Sequence, residues 1–145
     1  MTPSVTRQTE NASGKMRRLS LTDFRDVASA TLCVLRVKLA LRTDSLIEVL
    51  EALHLRPPYP AAGTVEANRA QQVVRWTHSF LPIAPNCLLD SLAAALWLKS
   101  HGLSLPLVIG VRKKGEGIEG HAWLEGSEAV PEDYRVLWRS QGVTP

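Results

Sequence analysis

Apolar residues recur at intervals of three and four from Ser20 to Arg42, a spacing that predicts one long helix. The positions that carry it are Phe24, Val27, Ala28, Leu32, Leu35 and Leu39. The stretch Ala30–Leu41 is apolar on more than one face of this helix. Such a helix is either central to the core or a docking surface for a partner, and the pattern favours a core helix with a partly exposed edge.

Two shorter helices are predicted to follow. Ser45 and Glu48 have the spacing of a capping box, in which each side chain accepts the backbone N–H of the other. We expect this helix to run to about His54. Thr64 is then predicted to cap a third helix that runs to about Phe80.

The clearest helix signal in the chain covers Cys87–His101. Asn86 before it is a preferred N-cap residue, and Gly102 after it suits the left-handed backbone that ends helices. Between them lies the apolar stripe Leu88, Leu89, Leu92, Ala93 and Leu96. The pattern therefore predicts a helix that buries one side and begins at a cysteine.

Three short strands are predicted after this helix, at Leu105–Val111, His121–Glu125 and Asp133–Trp138. The glycine-rich and lysine-rich segment Arg112–Gly120 is predicted to be a loop, and Gly126-Ser127 a turn. Helices followed by neighbouring strands indicate an α+β fold. We expect the cysteine-bearing helix to pack on a small antiparallel sheet.

Length and composition limit the domain organisation. A chain of 145 residues suits one domain. Residues 1–18 are polar and without periodicity, which predicts a flexible tail. Residues 19–145 are predicted to form a single domain, with a helical part at 19–80 and the core of the site at 81–140.

Net charge and cysteine content exclude several functions. The formal charge of +3 lies entirely in residues 1–18, because basic and acidic residues balance over 19–145. Charge therefore gives no reason to expect nucleic acid as a partner. No uncharged run is long enough to span a bilayer. Two cysteines form no disulfide framework, and we expect a cytoplasmic protein with at least one free thiol.

Cys87 is the candidate nucleophile. Unpaired N–H groups and the positive end of the helix dipole favour a thiolate at the first turn, and the same N–H groups suit an oxyanion. Asp90, one turn further along, opposes the thiolate unless its carboxylate points to solvent. The alternative is that Cys87 is a small buried apolar residue, which is the role we assign to Cys33 in the middle of its helix.

His121 is the candidate base, because a nucleophilic cysteine needs one within reach. Gly120 and Ala122 flank it, and small neighbours leave room for another group to approach the ring. The other histidines, His54, His78 and His101, lie near helix ends, where structural roles suffice. Trp123 alternates onto the same face as His121 and either lines the cleft or is a core aromatic.

A base needs an acceptor that orients its ring. Asp133 opens the next predicted strand, and a hairpin between the two strands would put it on the same face as His121. Glu132 competes for this role, and the strand register decides between them. Cysteine and histidine lack a paired spacing such as Cys-x-x-Cys, so this chemistry requires no metal and no other cofactor.

Together these motifs resemble the transglutaminase-like cysteine peptidase of lasso-peptide biosynthesis, the C-terminal domain of microcin-processing B proteins. The segments that carry the resemblance are Cys87–Leu98, Gly102-Leu103, Leu107–Arg112, His121–Glu125 and Asp133. The resemblance is strong from about Leu81 to Trp138 and compatible over the earlier helices. It implies a transglutaminase-like or papain-like core with Cys87, His121 and Asp133 as the catalytic triad.

The resemblance also implies a function. Such peptidases remove the leader from a ribosomally made precursor peptide, and a separate cyclase then uses the new amine. Leader-binding domains of the winged-helix type need strands, whereas residues 19–80 are predicted to be helical. We therefore expect the precursor leader, a separate leader-binding protein and the cyclase as partners. The family commonly has a basic residue where this chain has Asn86, so substrate preference is expected to differ there.

Two other functions remain open. A transglutaminase-type acyl transferase would pass the acyl group to an amine instead of water. A catalytically silent peptide-binding module would use the same cleft without chemistry.

Overall fold

The structure, a computed structural model, describes residues 20–52, 59–126 and 133–140. Its elements are the helices α1 (Leu21–Thr43), α2 (Leu46–Ala52), α3 (Thr64–His78) and α4 (Cys87–Ser100) and the strands β1 (Leu107–Lys114), β2 (Gly117–Leu124) and β3 (Arg135–Arg139). The predicted α+β fold is confirmed. The predicted tail, residues 1–18, lies outside the described residues. No helix in the described ranges is long and apolar enough to cross a membrane.

Helix α1 begins as predicted but buries a different face. Ser20 and Asp23 close a capping box at its start. The side chains turned to the core are small or β-branched, which lets neighbouring helices approach closely. They are Ala30, Cys33, Val34 and Val37. The leucines that define the helical spacing lie on the opposite face and are exposed.

The capping box of α2 is confirmed. The Ser45 N–H donates to Glu48 Oε2 at 2.8 Å, and the Glu48 N–H donates to Ser45 Oγ at 3.3 Å. The predicted end near His54 lies outside the described residues.

The prediction that Thr64 caps α3 is wrong. Gly63 has the extended backbone of an N-cap, and its carbonyl oxygen already accepts the Ala67 N–H at 3.0 Å. Thr64 is therefore the first helical residue. The helix ends at His78, two residues before the predicted Phe80.

Helix α4 is the centre of the core. It packs against α1 and α3 on one side and β2 on another. Every residue from Leu92 to Leu98 is buried, so the helix is enclosed more completely than one apolar stripe predicts. Asn86 caps it and Gly102 ends it with a φ of 73°, both as predicted.

The sheet has the antiparallel order β2-β1-β3. The predicted loop at Arg112–Gly120 is wrong, because β1 and β2 run on until Lys114 pairs with Gly117. Only residues 115–116 turn between them. Arg112 and Glu119 form a cross-strand ion pair at 2.7 Å, which helps to make this polar segment a hairpin.

The predicted hairpin between the His121 strand and the Asp133 strand is also wrong. β1 lies between β2 and β3, since it is the most apolar of the three and gains most from the central place. Asp133 precedes β3 in a turn and does not open the strand. Gly126 has the positive φ of a turn residue, at 88°, while Ser127 lies outside the described residues.

The start of α1 supports a prediction about acid stability. Hydrogen bonds from the Ser20 N–H and the Arg69 guanidinium lower the pKa of Asp23 to about 2. A carboxyl group whose pKa is lowered by folding stabilises the fold at pH values above its pKa in the unfolded chain, which is about 3.9. This stabilisation is lost as the pH falls towards 2. We expect Asp23→Asn to be less stable than the wild type at pH 6, with the difference shrinking between about pH 4 and 2.

Urea unfolding at a series of pH values measures this difference. Asp44→Asn, at the exposed other end of α1, is the matched control and should show no such convergence. A difference for Asp23→Asn that is the same at the lowest and highest pH would contradict the assignment.

Candidate active site

Cys87 is half-buried at the first position of α4. The Asn86 side-chain oxygen accepts the N–H groups of Leu88 at 2.9 Å and Leu89 at 3.3 Å, and the Asn86 backbone oxygen accepts that of Asp90. In the described part of the chain, the N–H of Cys87 is thus the one donor of the first turn without a partner. An unpaired N–H at the start of a helix favours negative charge nearby, here beside the Cys87 sulfur.

Asn86 itself is exposed, and its oxygen is engaged by the cap. Asn86 is not among the residues that line the pocket of Cys87. Its role in substrate binding stays a prediction.

Cys87 and His121 line the same pocket, a cavity of about 200 Å³ between α3, α4 and β2. The lining residues are Gln71, Val74, Arg75, Cys87, Asp90, Ser91, His121, Ala122 and Trp123. The candidate nucleophile and base, 34 positions apart in the chain, are brought to one cavity by the packing of β2 on α4.

Ser91 fixes the position of β2 on α4. Its hydroxyl donates to the Ala122 carbonyl oxygen at 3.0 Å. Ser91 lies one turn after Cys87, and Ala122 follows His121 directly. This single bond therefore ties the cysteine-bearing turn to the histidine-bearing strand.

The His121 ring lies in an aromatic cluster. Its centroid is 5.8 Å from that of Trp123, in a stacked arrangement, and 5.3 Å from that of Tyr134. The Arg112 guanidinium lies over the Tyr134 ring, 4.9 Å from its centroid. Trp123 shares the face of His121, and it both lines the pocket and is buried.

Gly110 leaves the space that this cluster fills. It pairs with His121 on one side and Val136 on the other, beside a bulge in the β1–β3 ladder. A Cβ atom at Gly110 would lie 2.9 Å from the Trp123 ring and 3.0 Å from the Arg135 carbonyl oxygen. The cluster therefore requires a residue without a side chain here.

We expect Gly110→Ala to destabilise the fold by about 1–3 kcal/mol, the usual range for overpacking, because ring and backbone must shift. Urea unfolding measures the loss. Gly120→Ala is the matched control, since a Cβ there meets nothing within 4 Å. Equal effects of the two substitutions would show that the crowding at Gly110 is relieved without cost.

Asp133 is exposed in the turn before Tyr134. Among the described residues, it makes no hydrogen bond to His121. Its charge adds to that of Glu119, the larger influence, in raising the pKa of Arg112. Glu132, the competing candidate, lies outside the described residues. The assignment of Asp133 as the orienting residue stays a prediction.

The orientation of Asp90 is settled by His78. The His78 Nε2 lies 2.6 Å from Asp90 Oδ1, and its Nδ1 lies 3.0 Å from the Ile83 carbonyl oxygen. The contact with the His78 ring takes up one oxygen of the Asp90 carboxylate, so Asp90 opposes a thiolate at Cys87 less than a carboxylate without a partner would.

This pairing predicts the effect of His78→Asn on Cys87. The substitution leaves the Asp90 carboxylate without its ring partner, three residues from the sulfur on the same helix face. A charge at that separation makes the thiolate less favourable, and we expect alkylation of Cys87 at neutral pH to slow about three- to tenfold. The rate of iodoacetamide labelling measures the change.

The double variant His78→Asn/Asp90→Asn is the control. It removes the carboxylate together with its ring partner and should return the labelling rate close to that of the wild type. If the single and double variants react equally slowly, His78 acts on Cys87 through the fold and not through charge.

Cys33 contrasts with Cys87. It is buried in the core, as predicted, and burial raises the pKa of its thiol. The two cysteines therefore differ strongly in access to reagents.

Sequence reasoning missed the α3 wall of the pocket. Gln71, Val74 and Arg75 line it, and His78 lies one turn further on the same face. The spacing of three and four between these residues was a usable signal, because polar side chains lie along one edge of the buried stripe of α3. Nothing local in the sequence shows that this face meets α4.

The sequence model of the transglutaminase-like superfamily matches residues 31–141 of the chain. No characterised protein and no solved structure matches the chain significantly. The matched range contains both cysteines, α2 to α4 and the whole sheet.

Proposed function

The chain belongs to the transglutaminase-like superfamily, and on that premise we propose that it is a cysteine peptidase that removes the leader peptide from a lasso-peptide precursor. The observation that carries the proposal is the common pocket of Cys87 and His121. Members of the superfamily use a cysteine for peptidase or acyl-transfer chemistry. The leader specificity rests on the sequence resemblance described above.

The first half of the reaction forms a thioester. The Cys87 thiolate attacks the carbonyl carbon of the scissile bond, and the C=O electron pair moves to oxygen. The tetrahedral intermediate collapses, the C–N bond breaks, and the leaving nitrogen takes a proton from the His121 imidazolium. The released amine is the new N-terminus of the core peptide.

The second half is hydrolysis. His121 takes a proton from water as the oxygen attacks the thioester carbonyl. The C–S bond then breaks, which releases the leader as an acid and restores the thiolate. In this proposal Asp133 orients the His121 ring once substrate is bound, since catalytic hydrogen bonds are often looser in the free enzyme.

The oxyanion needs donors aimed at the developing charge. The cap at Asn86 consumes two N–H groups of the first turn, which leaves that of Cys87. We assign the second donor to the Gln71 side-chain amide. It is half-buried on the α3 wall and, within the described ranges, has no other hydrogen-bond partner.

Substrate contacts are assigned to two residues. Trp123 supplies an apolar wall beside His121, and Asn86, next to Cys87 in the chain, supplies an amide N–H donor to the bound peptide. A separate leader-binding protein delivers the precursor, and the cyclase receives the product. We place the reaction in the cytoplasm, where Cys87 stays reduced.

The test is the mass of the product. The protein is mixed with its leader-binding protein and a candidate precursor, and the mixture is followed by intact mass spectrometry. A peptidase yields two fragments whose masses together exceed the precursor by one water. A cross-linked product instead supports the acyl transferase, and an unchanged precursor that remains bound supports the silent module.

A further inference from the structure

The outer face of α1 carries a continuous apolar stripe. Five large side chains lie on one helix face at intervals of three, eight, three and four residues, and the exposed Ala28 fills the longest interval. They are Leu21 (91% exposed), Phe24 (72%), Leu32 (63%), Leu35 (44%) and Leu39 (65%). The stripe is about 27 Å long at the rise of an α-helix. Contiguous exposed apolar surface of this kind marks an interaction site.

Within α1 itself, the charged side chains that flank the stripe are all positive. Arg25 and Arg36 border it, and Arg42 lies at its C-terminal end. None of these arginines is ion-paired in the part of the chain that the structure describes. The acids of the helix, Asp23 and Asp26, are held by Arg69 of α3 on the packed side.

This charge pattern selects the occupant. We propose that the stripe binds an amphipathic segment of a partner protein whose apolar ridge is bordered by carboxylates. The leucines bury the ridge, and the arginines pair with the carboxylates, which steers association and sets the register.

A second copy of the chain fits poorly. In an antiparallel pairing about the middle of the stripe, Arg25 of one copy lies beside Arg36 of the other. In a two-fold parallel pairing the edge that carries the arginines faces the opposite edge of the other copy, so Arg36 lies beside Lys38. Either arrangement places like charges together with no acid on the face to relieve them.

An anionic bilayer also fits less well than a narrow segment. The exposed acids Asp44 and Glu48 follow the stripe in the chain, and exposed carboxylates oppose an anionic surface. A single segment lying along the stripe does not have to approach them.

The stripe is independent of the proposed peptidase site. It lies on the face of α1 opposite the residues packed against α3 and α4. A partner bound to it leaves the pocket of Cys87 open. Variants of the stripe should therefore leave iodoacetamide labelling of Cys87 unchanged, so the two proposals fail separately.

Fluorescence anisotropy of two synthetic peptides tests the inference on the whole protein. Both are helical, about 18 residues long to match the stripe, and carry leucines on one face. One has glutamates bordering the leucines and the other has lysines. We expect the glutamate peptide to bind at least about tenfold more tightly, with a difference that shrinks at high salt.

Substitutions in the stripe should alter this preference in defined ways. Arg25→Glu/Arg36→Glu should reverse it, and Leu32→Gln/Leu35→Gln should abolish binding of both peptides. Lys113→Glu and Ile118→Gln are matched controls, because they change an exposed charge and an exposed apolar residue on the β1–β2 hairpin.

Three outcomes would overturn the proposal. Equal affinity for the two peptides would show that charge does not select the partner. Leucine-dependent binding to phosphatidylglycerol vesicles without a peptide preference would assign the face to a membrane. A dimer in sedimentation that Leu32→Gln/Leu35→Gln dissociates would assign it to a second copy.

Discussion

We expect Cys87→Ala to abolish the proposed cleavage of the precursor, with a decrease in rate of roughly 10⁴–10⁶. The substitution removes the atom that forms the thioester, so no covalent route remains. The pocket, its His121 and the N–H at the start of α4 are all retained. What survives is the weak activity of an oriented water, which an intact-mass assay over hours does not detect.

Cys33→Ala is the matched control for this loss. Its thiol is buried in the core on α1, so its removal should leave cleavage intact. Because Cys33 is buried, iodoacetamide should modify a single site in the wild type and none in Cys87→Ala. Cleavage that persists in Cys87→Ala would end the assignment of the nucleophile.

The start of α4 was predictable because its signals are local. Asn86, Cys87 and Gly102 act on backbone groups within a few residues, so the chain around them determines the cap, the first turn and the left-handed end. The same holds for the capping box of Ser45 and Glu48. These features need no knowledge of the rest of the fold.

The arrangement of the strands was not predictable in the same way. Strand order depends on which strand gains most from burial on both sides, and this is a property of the whole sheet. The polar segment Arg112–Gly120 has the composition of a loop, but cross-strand pairs such as Arg112 with Glu119 make most of it strand. Composition alone does not show that Arg112 has a cross-strand partner seven residues away.

Helix α1 shows a further limit of pattern reasoning. It is apolar on two opposite faces, and periodicity alone does not choose between them. The core takes the face of small side chains around Ala30 and Val34, since α3 and α4 can approach it closely. The larger leucines are left outside.

The residues of the candidate site also fall into those that local signals identify and those that depend on long-range packing. Cys87 and His121 were identified from their local surroundings, and the structure brings both to one pocket. The hairpin expected to join His121 to Asp133 depended on long-range register, and β1 occupies that place. Gln71 was missed because only the docking of α3 beside α4 makes its face a pocket wall.

Gln71→Ala is expected to lower kcat for cleavage by about 10²–10³ with little change in KM. In our mechanism the Gln71 amide bonds the oxyanion, which exists only after the thiolate has attacked. An interaction made in the transition state and absent in the bound substrate acts on kcat alone. Steady-state cleavage of the precursor, measured with saturating leader-binding protein, separates the two constants.

Alkylation of Cys87 distinguishes this role from a merely structural one. Iodoacetamide reacts with the thiolate by displacement at a saturated carbon and forms no oxyanion. If Gln71 is the donor, Gln71→Ala labels at the wild-type rate although cleavage has decreased. Gln72→Ala, its exposed neighbour on α3, should change neither rate. A parallel decrease in labelling and cleavage would mean that Gln71 holds the wall in place, and the second donor would have to be sought elsewhere in the pocket.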